Sequence, residues 1–215
     1  MTLLSERRDP ITLPDPADIR RVIGKAPGMM ASLIEAAWMT GCRIDELVTP
    51  KRSQLDHTRR QLTVIGKRNK LRVIDLDGWG YDEVFRRLPA KLGKPLLFWH
   101  HDGEPYKTAS GQFKRLVKSV DRQAQKQARE IPEQAHSFRP FRFHDLRHRH
   151  AVDWLKSGRS IYDLQLRLGH TSVKTTEIYL AYLTGDEQRM VKYGPSTGGP
   201  KSGTNQTVSP NREER

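Results

Sequence analysis

Residues 143–183 read FHDLRHRHAVDWLKSGRSIYDLQLRLGHTSVKTTEIYLAYL, and two glycines divide this stretch into three parts. Apolar residues recur at helical spacing within each part, which predicts helices near 143–156, 160–168 and 172–183. Histidine, arginine and tyrosine side chains lie on these helices or directly beside them. The stretch therefore predicts a helical framework that carries several groups capable of chemistry.

The chain upstream of this stretch predicts further helices and one β-hairpin. Helical spacing of apolar residues indicates helices at 31–38, 44–48 and 110–129. Apolar and polar residues alternate at 61–65 and 71–76, on either side of a basic turn with glycine and asparagine, which predicts two paired strands. The predicted fold class is therefore mainly α with a small antiparallel β-sheet, or α+β.

Length and charge limit the classes of function. The chain has 215 residues, enough for one compact domain, and a net charge of +13. Such a charge predicts a polyanionic partner, and double-stranded DNA is the partner we expect. Binding to an acidic membrane would require a basic amphipathic helix or a lipidation signal, and neither is evident. The first ten residues lack the apolar segment of a secretion signal, so we expect a cytoplasmic protein.

Composition also predicts the limits of the domain. Residues 1–13 are interpreted as a polar leader and residues 14–193 as the folded domain. The tail at 194–215 is poor in apolar residues and is predicted to be disordered. The single cysteine, Cys42, excludes an internal disulfide and a thiolate-based zinc site, so we expect a buried structural thiol.

Several motifs give the chain a resemblance to a known family. They are Arg43 within Thr-Gly-Cys-Arg-Ile-Asp-Glu-Leu, Lys67, His144-x-x-Arg147, Leu168-Gly169-His170 and Tyr179. In this order they resemble the active site of the tyrosine recombinases, the site-specific recombinases and integrases of phages and mobile elements. The resemblance spans roughly residues 14 to 183 and implies the catalytic-domain fold of that family.

The resemblance implies a metal-independent transesterification of DNA. Tyr179 is the implied nucleophile, which would form a 3′-phosphotyrosyl link and release a 5′-hydroxyl. Arg43 and Arg147 are the implied ligands of the non-bridging phosphate oxygens, because planar guanidiniums stay charged and donate two hydrogen bonds at once. No metal or cofactor is expected, since the phosphotyrosyl link conserves the bond energy and no glycine-rich nucleotide loop is present.

The remaining implied residues handle protons and charge. Lys67, at the tip of the predicted hairpin, is the implied general acid toward the leaving 5′-oxygen. His144 is the implied proton acceptor for the tyrosine, or else a phosphate ligand. His170 is the implied hydrogen-bond donor to a phosphate oxygen.

Supporting residues and a rival nucleophile are also predicted. Glu46 is implied to orient Arg43 or to assist the lysine turn, although an ordinary surface glutamate fits the pattern nearly as well. Asp145 is expected to orient its neighbours rather than to react. Tyr182 is the nearest rival to Tyr179, but the spacing from the Leu-Gly-His motif favours Tyr179.

His148 and His150 together suggest a metal site. The arginines beside them would repel a cation, and the cluster lacks cysteine or obvious carboxylate ligands. We therefore interpret both histidines as structural or surface groups.

Two other functions stay open at this point: a type IB topoisomerase-like enzyme, or a DNA-binding accessory protein with a vestigial site. Members of the family usually carry an amino-terminal DNA-binding domain, and little precedes residue 14. We therefore expect either an excised catalytic fragment or a short member of the family. The resemblance also implies a homo-oligomer, a tetrameric synapse on DNA, with residues 184–193 as a segment that subunits exchange.

Overall fold

The computed structural model describes residues 11–66, 70–76, 78–134 and 137–193. Lys67, the implied general acid, lies outside the described residues, and so does the tail predicted to be disordered. Within the described residues, no helix is both long enough and apolar enough to cross a membrane.

Helices form most of the described structure, and their ends follow simple capping chemistry. Helix α1 begins after Asp15, whose carboxylate accepts a hydrogen bond from the Ala17 backbone N–H at 2.7 Å. Helix α2 ends at Gly41, whose positive φ of 66° favours glycine. The described α-helices are α1 Pro16–Lys25, α2 Met29–Thr40, α3 Ile44–Val48, α4 Gly78–Glu83, α5 Ala109–Glu130, α6 Asp145–Lys156, α7 Ile161–Leu168, α8 Lys174–Glu177 and α9 Gly185–Tyr193.

A three-stranded antiparallel sheet covers one side of the helices. The strands are β1 Leu55–Asp56, β2 Gln61–Ile65 and β3 Leu71–Asp75, in the order β1-β2-β3. Gln61 pairs with Asp75 and Ile65 with Leu71, so the predicted hairpin is present. Strand β1 was not predicted, because two residues are too few to show an alternating pattern.

Two hydrophobic cores meet at α6. The larger core joins α1, α2, the sheet and α5, and it includes Leu146 near the start of α6. The smaller core joins the later helices and includes Ala151 and Leu155 on the same helix. Helix α6 therefore spans both cores, which fixes its amino-terminal turn between them.

The segment after His170 differs from the prediction of one helix over 172–183. Helix α8 makes a single turn and is followed directly by a 3₁₀ turn at Ile178–Tyr182. The β-branched threonines and isoleucine of this segment lower its α-helical propensity. Because a 3₁₀ turn has three residues per turn, the side chains of this segment, Tyr179 included, point in other directions than in an unbroken α-helix.

The chain before α1 also contacts the domain. Ile11 and Leu13, predicted to belong to a polar leader, pack against the smaller core. The hydroxyl of Tyr182 donates a hydrogen bond to the Ile11 carbonyl at 3.3 Å. The domain limits stay a prediction, but these two residues belong to the packed structure.

Candidate active site

Arg147 lies in the first turn of α6 and ties three helices together. Its side chain is buried, and its two Nη atoms donate hydrogen bonds to the carbonyls of Gly41 at 2.8 Å and Leu168 at 2.6 Å. These carbonyls lie at the carboxyl ends of α2 and α7, where the helix dipoles place partial negative charge. Burial, and secondarily the nearby charge of Arg43, lowers the pKa of Arg147 to about 10, so the guanidinium stays charged at neutral pH.

His170 contacts Arg147 directly. Its Nε2 lies 3.0 Å from Nη2 of Arg147, and its Nδ1 lies 2.9 Å from the hydroxyl of Thr176. Because arginine can only donate, Nε2 accepts and the Nδ1–H group donates to Thr176. Burial, and secondarily the charge of Arg147, lowers the pKa of His170 to about 4. The imidazole is therefore neutral and has a fixed tautomer at neutral pH.

Glu46 links Arg43 to a second arginine that the sequence did not predict. Its carboxylate accepts from the Arg43 backbone N–H at 2.7 Å and from the Arg43 guanidinium at 3.1 Å. Both of its oxygens also accept from the Nη atoms of Arg72 on β3, each at 2.9 Å. Glu46 is buried, so it is not the surface residue that remained possible from the sequence.

Arg72 could have been found by its position in the strand. In the alternation of β3 it shares a face with Ile74, which is buried in the larger core. A charged residue on the inward face of a strand requires a partner, since burying an unpaired charge is costly. That partner is Glu46.

Removing the Glu46 carboxylate is expected to destabilise the fold. Glu46→Ala leaves the Arg72 guanidinium partly buried without its counterion, so we expect the free energy of unfolding to fall by about 3–5 kcal/mol. Urea denaturation followed by circular dichroism measures the change. Glu130→Ala is the matched control: that glutamate is exposed and pairs with Lys126 at 3.6 Å, and its loss should change stability by less than about 1 kcal/mol. Equal effects of both variants would contradict a structural role for Glu46.

Gly169 gives the backbone room beside these arginines. Its φ is +67°, and a Cβ at this position would lie 2.6 Å from Nη1 of Arg72. The Leu-Gly-His motif therefore requires glycine for two reasons, conformation and space. His170, the next residue, bonds to Arg147 and lines the same cleft as Arg72.

The hydroxyl of Tyr179 is held within the protein by a histidine. Among the described residues, its hydrogen-bond partner is Nδ1 of His148, at 3.0 Å. The ring of Tyr179 is only 2% exposed. Burial raises the pKa of Tyr179, while the charges of Arg147 and Arg43 lower it, so both guanidiniums act on the hydroxyl.

His148, interpreted from the sequence as a structural or surface group, therefore contacts the implied nucleophile directly. The residue is one helical turn beyond His144, and its ring contacts that of His144 edge-on, with centroids 4.9 Å apart. The spacing alone could have indicated that His144 and His148 lie side by side, since residues four apart on a helix share a face. Burial, and then the charge of Arg147, lowers the pKa of His144.

His150 has a different environment from His148. It is buried, its Nδ1 donates to the Trp38 carbonyl at 2.9 Å, and its Nε2 accepts from Nε of Arg167 at 3.1 Å. The two histidines thus bind different partners and do not converge on one metal position. His150 connects α6 to α2 and α7.

Asp145 organises the turn that precedes α6. Its buried carboxylate accepts from the Arg142 backbone N–H at 2.6 Å and from the Arg142 guanidinium at 3.2 Å. Tyr182, the rival nucleophile, bonds to the Ile11 carbonyl instead of to any of these groups. The structure thus brings together Arg43, Glu46, His144, Asp145, Arg147, His170 and Tyr179, and adds Arg72 and His148.

Two open clefts border this cluster, and Arg43 lines both. The first, of about 480 Å³, lies between β3 and α7 and has a basic lining that includes Lys70, Arg72 and His170. The second, of about 780 Å³, lies against α5 and includes Lys114, Lys118, Arg142 and His144. The side chain of Arg43 is 30% exposed, which makes it accessible to an anion from the surface.

Sequence comparison finds relatives of this chain among known recombinases. The family described as "Phage integrase family" matches residues 18–184. The tyrosine recombinase XerC of Herpetosiphon aurantiacus is 28% identical over 176 residues, which cover 79% of this chain and 52% of the relative. XerC of Bifidobacterium longum is 30% identical over 161 residues, which cover 69% of this chain and 42% of the relative. The chain spans about half the length of these curated relatives.

Solved structures share the fold. The integrase of transposon Tn1549, in complex with transposon right end DNA, superposes with a TM-score of 0.63 at 21% identity, covering 86% of this chain and 66% of that chain. The catalytic domain of bacteriophage HP1 integrase superposes with a TM-score of 0.58 at 21% identity, covering 87% of this chain and 98% of that chain. The likeness confirms the predicted fold class and the predicted catalytic-domain fold.

Proposed function

Because the chain belongs to the phage integrase family, we propose that it is the catalytic domain of a site-specific DNA recombinase that cuts and rejoins DNA through a 3′-phosphotyrosyl intermediate. One observation carries the proposal. The buried Tyr179 hydroxyl is bonded to a histidine, and the charges of Arg43 and Arg147 both act on it. A phenol among fixed cations has the arrangement needed to attack a phosphodiester.

We assign phosphate binding to the two arginines and His170. Arg147 is held by two carbonyls before any substrate arrives, so little reorganisation is needed when negative charge develops on the phosphate. Arg43 is held by Glu46 and remains partly exposed toward both clefts. His170 is bonded to Arg147 and so lies beside the same proposed phosphate position. A bound phosphate would favour the protonated form of His170, which can donate a hydrogen bond to it.

The reaction we propose conserves bond energy at every step. The Tyr179 oxygen forms a bond to phosphorus as the bond from phosphorus to the 5′-oxygen breaks. A proton donor then neutralises the departing oxygen, the role that the family resemblance implies for Lys67. A 5′-hydroxyl from the partner strand reverses the step, restores the phosphodiester and frees the tyrosine.

The proposed partner is double-stranded DNA. The net charge of +13 and the basic linings of both clefts support this partner. Relatives of the same fold have been solved on DNA, as the Tn1549 integrase was. We also propose a tetramer on DNA with α9 as the exchanged segment, which truncation after Leu183 and sizing on DNA would test.

Affinity for DNA is expected to fall steeply with salt. Each phosphate neutralised by lysine or arginine releases counterions, so about six contacts would reduce affinity about 1000-fold between about 50 and 200 mM salt. Fluorescence anisotropy with a labelled random-sequence duplex measures this dependence. An affinity that stays flat over this range would contradict binding through phosphates.

A covalent capture assay tests the proposed function. The 215-residue chain is incubated with a pool of duplexes that carry a nick within a randomised sequence, so that cleavage releases a short strand and prevents religation. The expected result is a protein–DNA species that survives denaturant. Binding to the pool without such a species would indicate an accessory protein instead. Relaxation of a supercoiled plasmid without strand exchange would favour a type IB topoisomerase-like enzyme over a recombinase.

A further inference from the structure

We propose that Nδ1 of His148 takes the proton from the Tyr179 hydroxyl as that oxygen attacks phosphorus, in place of His144. The inference rests on the proposed function and names a residue for a step within it. His148 touches the reacting atom, so the role would be catalytic. In the reverse step the same nitrogen returns the proton to the tyrosine oxygen.

The geometry already has the form that this transfer needs. The oxygen of Tyr179 and Nδ1 of His148 are 3.0 Å apart, within the range of a general base and the proton that it removes. The transfer requires that the phenol donates this hydrogen bond, so that Nδ1 is the unprotonated nitrogen and the neutral ring carries its proton on Nε2. In this tautomer the ring is a free base that faces the nucleophile.

The position of His144 does not offer the same contact. His144 is the residue directly before α6, and its ring contacts the ring of His148 edge-on. The ring of His148 in turn contacts the ring of Tyr179. Its ring also lines the cleft against α5, where a phosphate oxygen could reach it. Of its two implied roles, phosphate ligand fits this position better than proton acceptor.

Burial and the surrounding charges hold His148 neutral until an anion arrives. The groups that act on it are His144, Asp145 and Arg147 of α6 or its cap, Arg142 of the preceding turn, and Tyr179 itself. Burial and the neighbouring His144 and arginines lower the pKa of His148 to about 4, and Asp145 opposes them. A DNA phosphate bound by Arg43 and Arg147 would offset these cations and favour the protonated ring. Proton transfer would therefore be coupled to DNA binding.

The chain supplies a matched control for this pair. Nδ1 of His57 lies 2.8 Å from the hydroxyl of Tyr81, a hydrogen bond between the same two groups at a residue of the larger core. His57→Asn therefore changes a histidine–tyrosine pair that has no part in the proposed chemistry. His148→Asn keeps a hydrogen-bond acceptor near the position of Nδ1 but cannot take a proton at neutral pH, which separates positioning from base catalysis.

The first experiment needs no DNA. Nitrogen NMR of histidine-labelled protein at neutral pH is expected to show His148 as the neutral tautomer with its proton on Nε2. Its Nδ1 signal should shift in Tyr179→Phe and stay unchanged in Tyr182→Phe. A His148 ring that carries its proton on Nδ1, or that is indifferent to Tyr179→Phe, would overturn the assignment whatever the protein does to DNA.

The second experiment measures the rate of covalent capture against pH. The nicked duplex pool carries sulfur in place of the 5′-bridging oxygen, because a thiolate with a pKa near about 8.5 leaves without a general acid. With the unaltered chain the single-turnover rate should be nearly constant from about pH 7 to about pH 9, since neutral His148 is present as the base over this range. His148→Asn should be slower by about 100-fold or more at neutral pH. Its rate should rise about tenfold per pH unit, because only the phenolate fraction then reacts.

Three outcomes decide the assignment. A steep pH slope in His148→Asn, with His57→Asn behaving like the unaltered chain, supports it. A His148→Asn variant with a flat profile and a rate within about threefold of the unaltered chain overturns it, and so does a steep slope that is found in His144→Asn alone. Failure of the unaltered chain to form any adduct would instead overturn the proposed function, and this assignment with it.

Discussion

Tyr179→Phe is expected to abolish covalent capture of DNA. The substitution removes the single oxygen proposed as the nucleophile and keeps the ring that fills the smaller core. We expect adduct formation to drop by about 10⁴-fold or more, to background, because loss of the attacking group leaves no alternative nucleophile in place. Denaturing gels of the capture reaction measure this loss. Affinity for the duplex pool should stay within about twofold, since few phosphate contacts are lost.

Tyr182→Phe is the matched control for this substitution. It removes a hydroxyl three residues later, which donates to the Ile11 carbonyl and not to the cluster. In Tyr179→Phe, loss of the hydrogen bond to His148 should lower the free energy of unfolding by only about 0.5–1.5 kcal/mol, so unfolding cannot account for the lost adduct. Capture by Tyr179→Phe at a normal rate, or its loss in Tyr182→Phe alone, would contradict the choice of nucleophile.

Arg147→Lys is expected to damage both the fold and the chemistry. An ammonium keeps the charge but cannot hold the carbonyls of Gly41 and Leu168 together with His170, as the planar fork does. We expect adduct formation to fall by about 100- to 1000-fold. The Gly41 carbonyl left without its donor should cost about 1–3 kcal/mol of stability. The Leu168 carbonyl keeps the hydrogen bond from Nη1 of Arg72 at 3.1 Å. Single-turnover capture and urea denaturation measure the two effects separately.

The control for Arg147 lies two residues further along the same helix. Arg149 pairs with Asp153 at 2.7 Å, and Arg149→Lys can preserve that ion pair. Its adduct rate should stay within about twofold of the unaltered chain, the size of effect expected from a pair near the surface. Comparable losses of adduct formation in Arg147→Lys and Arg149→Lys would contradict a specific role for the planar, buried guanidinium of Arg147.

Much of the fold could be predicted because its elements have strong local patterns. The long amphipathic helix α5 and the apolar helix α2 both extend only one or two residues beyond the predicted limits at each end. The hairpin of β2 and β3 followed from alternation and a turn of glycine and asparagine. These elements carry their own periodicity, so no tertiary information was needed to find them.

Elements without such a pattern were missed. Helix α9 is short and polar, and its buried Val191 packs on the smaller core, which no local signal indicates. The 3₁₀ turn that carries Tyr179 differs from an α-helix in its hydrogen-bond pattern and its residues per turn, and five residues are too few for apolar spacing to distinguish the two. Ile11 and Leu13 lie in an otherwise polar segment, and only the folded domain supplies the apolar surface that they cover.

The candidate site shows the same division. The order of the motifs predicted Arg43, Arg147, His170 and Tyr179 as site residues, and all four lie in one cluster. Their roles stay proposals until the reaction is measured. Arg72 and His148 were missed because their importance depends on what faces them across the fold, Glu46 in one case and a tyrosine hydroxyl in the other.

The position of the covalent bond tests the central proposal most directly. After covalent capture, the DNA is digested to a single nucleotide and the protein to peptides, and mass spectrometry locates the added nucleotide 3′-phosphate. We expect that mass on the tyrosine at position 179, in the peptide that begins after Lys174. Attachment at Tyr182, at Tyr162 or at any residue other than a tyrosine would contradict the proposed nucleophile and the reaction built on it.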